Sequence, residues 1–169
     1  MKAKTLKTER TFDTTNDRSF KIQTYGKYND YPQRVIEIVA ASITGSSCLD
    51  TYVKFIIGRG FANDKFCKAV INSQGMTVDA LLQEIAKDFG KFKGFALHVN
   101  YNANYRISSV SHIPFEQLRF EEMDKDGKFH RICTHPDWGK RATGLRGFNI
   151  KDRIWFNFFN PDPDVVAKE

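Results

Sequence analysis

The fold is decided by the stretch Thr77-Val-Asp-Ala-Leu-Leu-Gln-Glu-Ile-Ala-Lys-Asp-Phe-Gly-Lys-Phe-Lys-Gly-Phe-Ala-Leu-His-Val-Asn-Tyr101. In its first half apolar side chains recur three and four residues apart, and Thr77 precedes them as a favourable N-cap, so the pattern predicts a helix over 77–89 that Gly90 ends. In its second half the side chains alternate with a period of two, which predicts a strand over 95–101. The change of period therefore predicts an α+β unit in which this helix packs against a sheet.

Further antiparallel strands are predicted downstream. A turn at 102–104 leads into a second strand that Pro114 breaks, and a third strand contains Leu118 and Phe120. The sequence Asp124-Lys-Asp-Gly127 is typical of a tight turn, so a fourth strand is expected over 128–133. After a polar loop at 134–149, residues 154–159 predict a last strand. We therefore predict an α+β fold, with N-terminal helices followed by an antiparallel β-meander.

The residues before the core divide into an arm and a helical segment. Residues 1–24 are polar and without a sustained period, so we expect an arm outside the core. Residues 25–62 contain a loop and two helices, with apolar faces over 35–43 and 48–57 that Ser42 and the group 44–47 separate. Residues 63–165 are expected to form the α+β core, and 166–169 are expected to begin a helix that continues in a longer chain.

Composition and charge exclude several classes of protein. The mean hydropathy of -0.48 and the absence of a long apolar run argue against a membrane span, and the N-terminus lacks the apolar core of a signal peptide. The net charge of +6 is spread thinly, whereas a sequence-specific nucleic-acid reader concentrates its charge on one face. The three cysteines cannot all pair within the chain, so we expect reduced thiols in a cytoplasmic or virion protein.

The candidate metal ligands have the wrong spacing for a zinc site. His130, Cys133 and His135 lie close together, and Cys67 is a possible fourth ligand, but structural zinc sites use paired spacings that this group lacks. We therefore expect incidental histidines and a buried thiol, and no metal or cofactor. The turn at 124–127 has its glycine in the wrong position for a calcium loop.

No constellation of catalytic residues is found either, so we expect no enzymatic activity. Gly58-Arg-Gly60 is too short for a dinucleotide fingerprint, and the chain has no phosphate-binding loop of the nucleotide-hydrolase type. In the segment 139–146, Lys140, Arg141 and Arg146 are candidate phosphate contacts, although a solvated loop is the simpler interpretation.

The last predicted strand, Ile154-Trp-Phe-Asn-Phe-Phe159, carries a candidate interface. Alternation directs Phe156 and Phe158 toward the core, and Trp155 and Phe159 toward the opposite face. A small domain covers one of these faces only, so we predict that Trp155 and Phe159 lie against another subunit or the rest of a longer chain.

Several motifs follow one another in an informative order. The first motif is Tyr25-Gly-x-x-Asn29-Asp-Tyr-Pro32, which precedes a helix with Ser42. The motifs that follow, in order, are Lys54-Phe-Ile-Ile-Gly-Arg-Gly-Phe61, the run 88–101, Ile113-Pro-Phe-Glu-Gln-Leu-Arg119, Asp137-Trp138 and Phe158-Phe-Asn-Pro161. Over residues 25–165 this order resembles the N-terminal, wing part of tailed-bacteriophage portal proteins, in particular those of Bacteroidetes phages and prophages. The resemblance is carried by Asn29, Tyr31, Pro32, Ser42, Gly58, Gly60, Phe61, Pro114 and Arg119.

The resemblance implies a structural role in a virion. Portal proteins form a dodecameric ring at one capsid vertex, and double-stranded DNA is packaged and ejected through it without sequence specificity. The implied partners are other copies of the chain, the capsid protein, the terminase that drives packaging and a head–tail adaptor, with no membrane involved. The implied locations are the virion and, during assembly, the bacterial cytoplasm. Complete portals continue into stem and clip helices, so we expect this chain to correspond to a fragment.

Two other functions remain open on the sequence. The domain could be a nucleic-acid-binding or regulatory module without catalytic activity, with Tyr101, Tyr105 and Phe120 stacking on bases. A divergent hydrolase that uses His130 or His135 is the third interpretation.

Overall fold

A computed structural model describes residues 16–17, 20–26, 28–138 and 150–168. The helices are α1 (Tyr31–Ala41), α2 (Ile43–Ile57), α3 (Asp64–Cys67), α4 (Val78–Phe92) and α5 (Pro163–Val166), with 3₁₀ turns at Phe115–Gln117 and Ile150–Asp152. The strands are β1 (Asn16–Asp17), β2 (Ile22–Gln23), β3 (Ala96–Tyr101), β4 (Ile107–Ile113), β5 (Leu118–Phe120), β6 (Arg131–Thr134) and β7 (Ile154–Asn157). All pairings among these strands are antiparallel, so the predicted α+β class is confirmed.

The predicted single meander is divided between separate sheets. β3 pairs with β4, whereas β5, β6 and β7 form a second sheet in that order, and β1 with β2 makes a short hairpin. The division falls where Pro114 and the 3₁₀ turn follow β4, because the turn redirects the chain before β5 begins. The tight turn at 124–127 is confirmed: the amide of Gly127 donates to the carbonyl of Asp124 at 3.1 Å.

The helix α4 begins where the sequence predicts and ends later. The Thr77 hydroxyl accepts a hydrogen bond from the amide of Ala80 at 3.2 Å, which is the expected N-cap. The helix does not stop at Gly90 but runs to Phe92, and Lys93 ends it in the left-handed conformation with φ of 60°. Gly90 instead permits close packing, because a Cβ there would lie 3.0 Å from Leu49 of α2.

The interruption between α1 and α2 is shorter than the sequence predicts. Residues 44–47 lie inside α2, and Ser42 alone breaks the helical run. The Ser42 hydroxyl accepts a hydrogen bond from the Gly45 amide at 3.0 Å, so this serine caps the second helix. Pro32 opens α1 as predicted.

The three-stranded sheet has an apolar cluster on each face. On one face Ile22, Cys133 and Trp138 form a buried cluster against which Phe20 and Trp155 pack. On the other face the sheet packs against β3 and β4 through Ala96, Ile113, Leu118, Phe120, Ile132 and Phe156. The predicted arm boundary at residue 24 is therefore wrong, because Ile22 is completely buried and Thr24 is also buried. Period analysis misses this segment because β2 is only two residues long.

The last strand ends before its aromatic run does. β7 stops at Asn157, so the predicted alternation is wrong for the two residues that follow. Phe158 is exposed, and the ring of Phe159 stacks on Tyr101 with centroids 6.4 Å apart. Phe159 therefore does not share a face with Trp155. None of the helices in the described part of the chain combines the length and the hydropathy needed to span a bilayer.

Candidate functional site and assembly surfaces

The polar centre of the fold is the guanidinium of Arg119 on β5, which is completely buried. Its Nε donates to the side-chain oxygen of Asn29, and Nη2 donates to the Asn29 carbonyl at 2.8 Å. Its Nη1 donates to the carbonyls of Glu116 and Leu118 at 3.0 and 2.6 Å. Among the described residues no carboxylate forms an ion pair with this cation, so neutral carbonyl oxygens solvate it.

Two aromatic rings complete the environment of Arg119. The guanidinium carbon lies 4.5 Å from the ring centroid of Tyr25 and 5.3 Å from that of Trp138, both within the range of a cation–π contact. Burial lowers the pKa of Arg119 to about 10 and raises the pKa of Tyr25 to about 12. Both shifts have the same main cause, which is the loss of hydration of the charged form.

Asn29 is the partner that makes this arrangement possible. It adopts a left-handed conformation with φ of 57°, which asparagine tolerates better than most residues. Its side-chain oxygen also accepts a hydrogen bond from the amide of Tyr25 at 3.0 Å, so one oxygen joins the loop before α1 to β5. Gln33 of α1 adds a second link, since its Nε2 donates to the Glu116 carbonyl at 3.1 Å.

Three buried polar atoms near this centre have no hydrogen-bond partner among the described residues. They are the Tyr25 hydroxyl, the side-chain nitrogen of Asn29 and the side-chain oxygen of Gln33. Each such atom costs free energy when it is taken out of water. The arginine cluster formed by Tyr25, Asn29, Gln33 and Arg119 thus holds distant segments together, but the full burial of Arg119 leaves no surface for a ligand.

The residues that carry the family resemblance fall into two structural groups. Asn29, Tyr31, Pro32, Pro114 and Arg119 belong to the loop before α1, the start of α1 and the segment from Pro114 through β5. Ser42, Gly58, Gly60 and Phe61 lie at the ends of α2, where Ser42 is the N-cap and Gly58 the C-cap. Phe61 is exposed and its ring makes an edge contact with Phe66 of α3.

The candidate metal and hydrolase residues His130, Cys133 and His135 have different environments and contacts. His130 is exposed and its Nε2 lies 2.7 Å from Asp124, whose pKa is lowered first by the hydrogen bond from the amide of Lys128 and next by that from His130. Cys133 is buried, and burial raises the pKa of its thiol to about 12. His135 is buried beside Trp138 and accepts a hydrogen bond from the amide of Asp137 at 2.9 Å. Among the described residues no group of three or more potential ligands could hold a metal ion.

The structure contains a second histidine–carboxylate pair, which sequence reasoning did not find. The Nε2 of His112 on β4 lies 2.8 Å from Asp88 on α4, and both side chains are nearly buried. Asp88 also accepts a hydrogen bond from the amide of Phe115 at 3.0 Å. The two residues are 24 positions apart on elements of different period, and no local pattern pairs them. The contact fixes α4 on the sheet.

Three large apolar side chains of the helical segment are exposed. Ile38 of α1 is 68% exposed, and Ile43 and Phe55 of α2 are 91% and 85% exposed. The opposite side of α2 packs on α4, where Val53 is buried. Ile43 and Phe55 are separated by about 18 Å along the axis of α2, so the three side chains are separate exposed positions and not one contiguous patch. Each is a candidate contact with a partner.

The predicted interface residues of β7 occupy different environments. Trp155 is half-buried against the Ile22 cluster, and the guanidinium carbons of Arg131 and Arg153 lie 4.8 and 5.1 Å from its ring centroid. Phe159 is 54% exposed. A role for either residue in assembly stays a prediction. The candidate phosphate contacts Lys140, Arg141 and Arg146 lie outside the described residues.

The three aromatic residues proposed for base stacking do not form one platform. Tyr101 donates a hydrogen bond to the carbonyl of Asn160 at 2.8 Å, and Phe120 of the other sheet stacks on Phe129. Tyr105 lies exposed in the turn between β3 and β4. Comparison of this chain with protein families, with curated proteins and with solved structures found no match.

Proposed function

We propose that this protein is a structural subunit of a homo-oligomeric ring, of the kind that tailed-bacteriophage portal proteins form around packaged DNA. The observation that carries the proposal is the exposure of three large apolar side chains in the helical segment, Ile38, Ile43 and Phe55. Covering a large apolar side chain stabilises an assembly by about 1.5–3 kcal/mol, so burial of these side chains between subunits favours association.

The choice of a portal ring comes from the sequence resemblance and is supported by one relationship in the fold. Asn29 and Arg119, which belong to motifs far apart in the chain, meet in the buried centre of the structure. Motif residues that meet in the buried centre stabilise the fold. Such a structural role is compatible with a subunit that contacts its partners through its surface. The dodecameric state, the capsid, terminase and adaptor partners and the passage of DNA remain parts of the proposal.

The proposal is tested by measuring mass in solution and examining the same sample by electron microscopy. We expect a high-order cyclic assembly at micromolar concentration, because subunits of one kind with a heterologous interface close into rings. A monomer at every concentration would contradict assembly by this chain.

The nucleic-acid-binding alternative is addressed by a salt titration with single- and double-stranded oligonucleotides. A portal-like subunit should bind backbone phosphate weakly, whereas a binding module should show micromolar or tighter affinity with a steep salt dependence. The separate placement of Tyr101, Tyr105 and Phe120 favours weak binding. Tight, salt-dependent binding by a monomeric protein would replace the ring proposal with the module.

A further inference from the structure

The two main sheets enclose a cavity of about 540 Å³. Ala96, His98 and Ile113 belong to the β3–β4 side, and Leu118, Ile132 and Phe156 belong to the three-stranded sheet. Phe95, Phe158 and Phe159 also border the cavity and are exposed, so they mark its mouth. A volume of this size lies in the range of pockets that hold small organic molecules.

The wall of the cavity is aromatic and carries no formal charge. Of its 17 described lining residues, seven are Phe or Tyr, and none is Asp, Glu, Lys or Arg. An ion that entered would exchange its hydration for an apolar wall, which is strongly unfavourable. The wall therefore selects for uncharged molecules, and its flat rings favour a planar aromatic one.

Besides Tyr101, the wall carries three polar side chains, His98, Asn157 and Asn160, and the Asn160 side chain already accepts a hydrogen bond from the amide of Asp162. The ring of His98 contacts Phe156 with centroids 4.7 Å apart, and among the described residues its nitrogens have no hydrogen-bond partner. The hydroxyl of Tyr101 is already engaged with the Asn160 carbonyl. Asn157 is exposed, whereas His98 is half-buried in the wall. A neutral His98 can donate one hydrogen bond and accept another, so it can give a ligand a directional contact inside the cavity.

We propose that this cavity binds a planar, uncharged aromatic small molecule through ring contacts and one hydrogen bond to His98. The proposal is independent of the ring function, because the cavity is formed within a single chain. The carbonyl of such a ligand would accept a hydrogen bond from the imidazole, while its rings lie among the phenylalanines of the wall.

The test uses prodan, a neutral naphthalene that carries a carbonyl and whose fluorescence shifts to the blue in apolar surroundings. We expect saturable binding of one prodan per chain, and no comparable binding of an anilinonaphthalene sulfonate of similar size, because the sulfonate is charged. Absence of saturable prodan binding, or equal binding of the sulfonate, would overturn the proposal.

Two pairs of variants assign the binding to this cavity. Val166 lines the cavity and its neighbour Val165 is exposed and does not, so Val166→Trp should abolish prodan binding and Val165→Trp should leave it unchanged. His98→Phe should weaken prodan binding about tenfold through loss of one hydrogen bond, whereas His130→Phe changes an exposed histidine that is not part of the lining and should not. Binding that survives both Val166→Trp and His98→Phe would place the probe elsewhere and overturn the proposal.

The oligomeric state gives an independent check. If prodan binds dissociated subunits but is excluded from an assembled ring, a neighbouring subunit fills the cavity, and the small-molecule proposal is wrong while the ring proposal stands. Equal binding to subunits and assemblies supports a ligand site within each chain.

Discussion

Asn29 and Arg119 are 90 residues apart, yet Arg119 donates hydrogen bonds to both the side-chain oxygen and the carbonyl oxygen of Asn29. The pair connects the loop before α1 with β5 and lies beside the ring of Tyr25. Because no described carboxylate pairs with the cation, its solvation depends on this geometry. A charge held by carbonyl dipoles requires the donors and acceptors to be fixed in position.

Replacement of Arg119 by methionine should lower the free energy of unfolding by about 3 kcal/mol. The change removes the donor to the Asn29 carbonyl and further hydrogen bonds to the Asn29 side chain, Glu116 and Leu118. A buried polar group that loses its partner costs about 1–3 kcal/mol. Urea unfolding at neutral pH measures the effect. The matched control is Arg131→Met, which removes an exposed ion pair with Glu121 and should cost no more than about 1 kcal/mol. Equal losses of unfolding free energy in the two variants would show that the buried cation contributes no more to stability than the exposed one.

The left-handed conformation of Asn29 can be separated from its hydrogen bonds. Asn29→Gly and Asn29→Ala both lose the side-chain oxygen, but glycine accepts a φ of 57° without strain. The alanine variant should therefore be less stable than the glycine variant by about 1 kcal/mol. At Lys87, in the interior of α4, the order should be reversed, since alanine favours a helix over glycine by about 1 kcal/mol. If alanine is the better residue at both positions, the loop does not require a positive φ.

Removal of the Tyr25 hydroxyl should stabilise the protein. The hydroxyl is buried without a hydrogen-bond partner among the described residues, so Tyr25→Phe should raise the free energy of unfolding by about 1 kcal/mol at neutral pH. The phenol ring and its contact with Arg119 are retained in the variant. A loss of stability would indicate that a bound water satisfies the hydroxyl.

The same substitution should change the alkaline limb of the stability profile. The pKa of Tyr25 is raised from 10.0 to about 12, so folding favours the protonated phenol, and that stabilisation is complete below pH 10 and lost as the pH rises toward 12. Tyr25→Phe lacks this loss, and its stability should decline less steeply above pH 10. Arg119 acts in the opposite sense because its pKa is lowered, but it is present in both proteins. Parallel profiles would contradict the raised pKa.

How far the sequence predicts this fold depends on the distance over which each signal acts. The start of α4 is correct because Thr77 and the helical period are local. The predicted end of α4 is wrong because Gly90 does not end the helix but packs against α2. A side chain of α2 lies 3.0 Å from the position of a Cβ added at Gly90. The Asn29–Arg119 pair and the cavity between the sheets depend on tertiary contacts between distant segments, for which a single sequence contains no periodic signal.

Close packing at Gly90 has its own test. Gly90→Val would place methyl groups against Leu49 and Val53 and should cost about 2 kcal/mol of unfolding free energy through overpacking. Lys87→Val introduces the same β-branched residue at an exposed position of the same helix, and should cost about 0.5 kcal/mol. Similar values from thermal or urea unfolding would mean that α2 moves away at no cost.

The final prediction concerns assembly and the exposed apolar side chains of α2. Phe55→Gln places a good helix former at this position and removes an apolar ring that is 85% exposed. If that ring is buried between subunits, its loss removes about 1.5–3 kcal/mol, and the dissociation constant of the assembly should rise about 10- to 150-fold. Sedimentation across a concentration series measures this change.

The control for Phe55→Gln is Lys54→Gln on the same exposed helix, which removes no apolar ring and should leave the assembly intact. Unfolding free energies of both variants should stay close to that of the unmodified protein, because neither side chain is part of the core. Assemblies of Phe55→Gln with unchanged mass and stability would exclude Phe55 from the interface. The exposed Phe159 and the half-buried Trp155 would then be the next residues to substitute, since each is a separate candidate for a subunit contact.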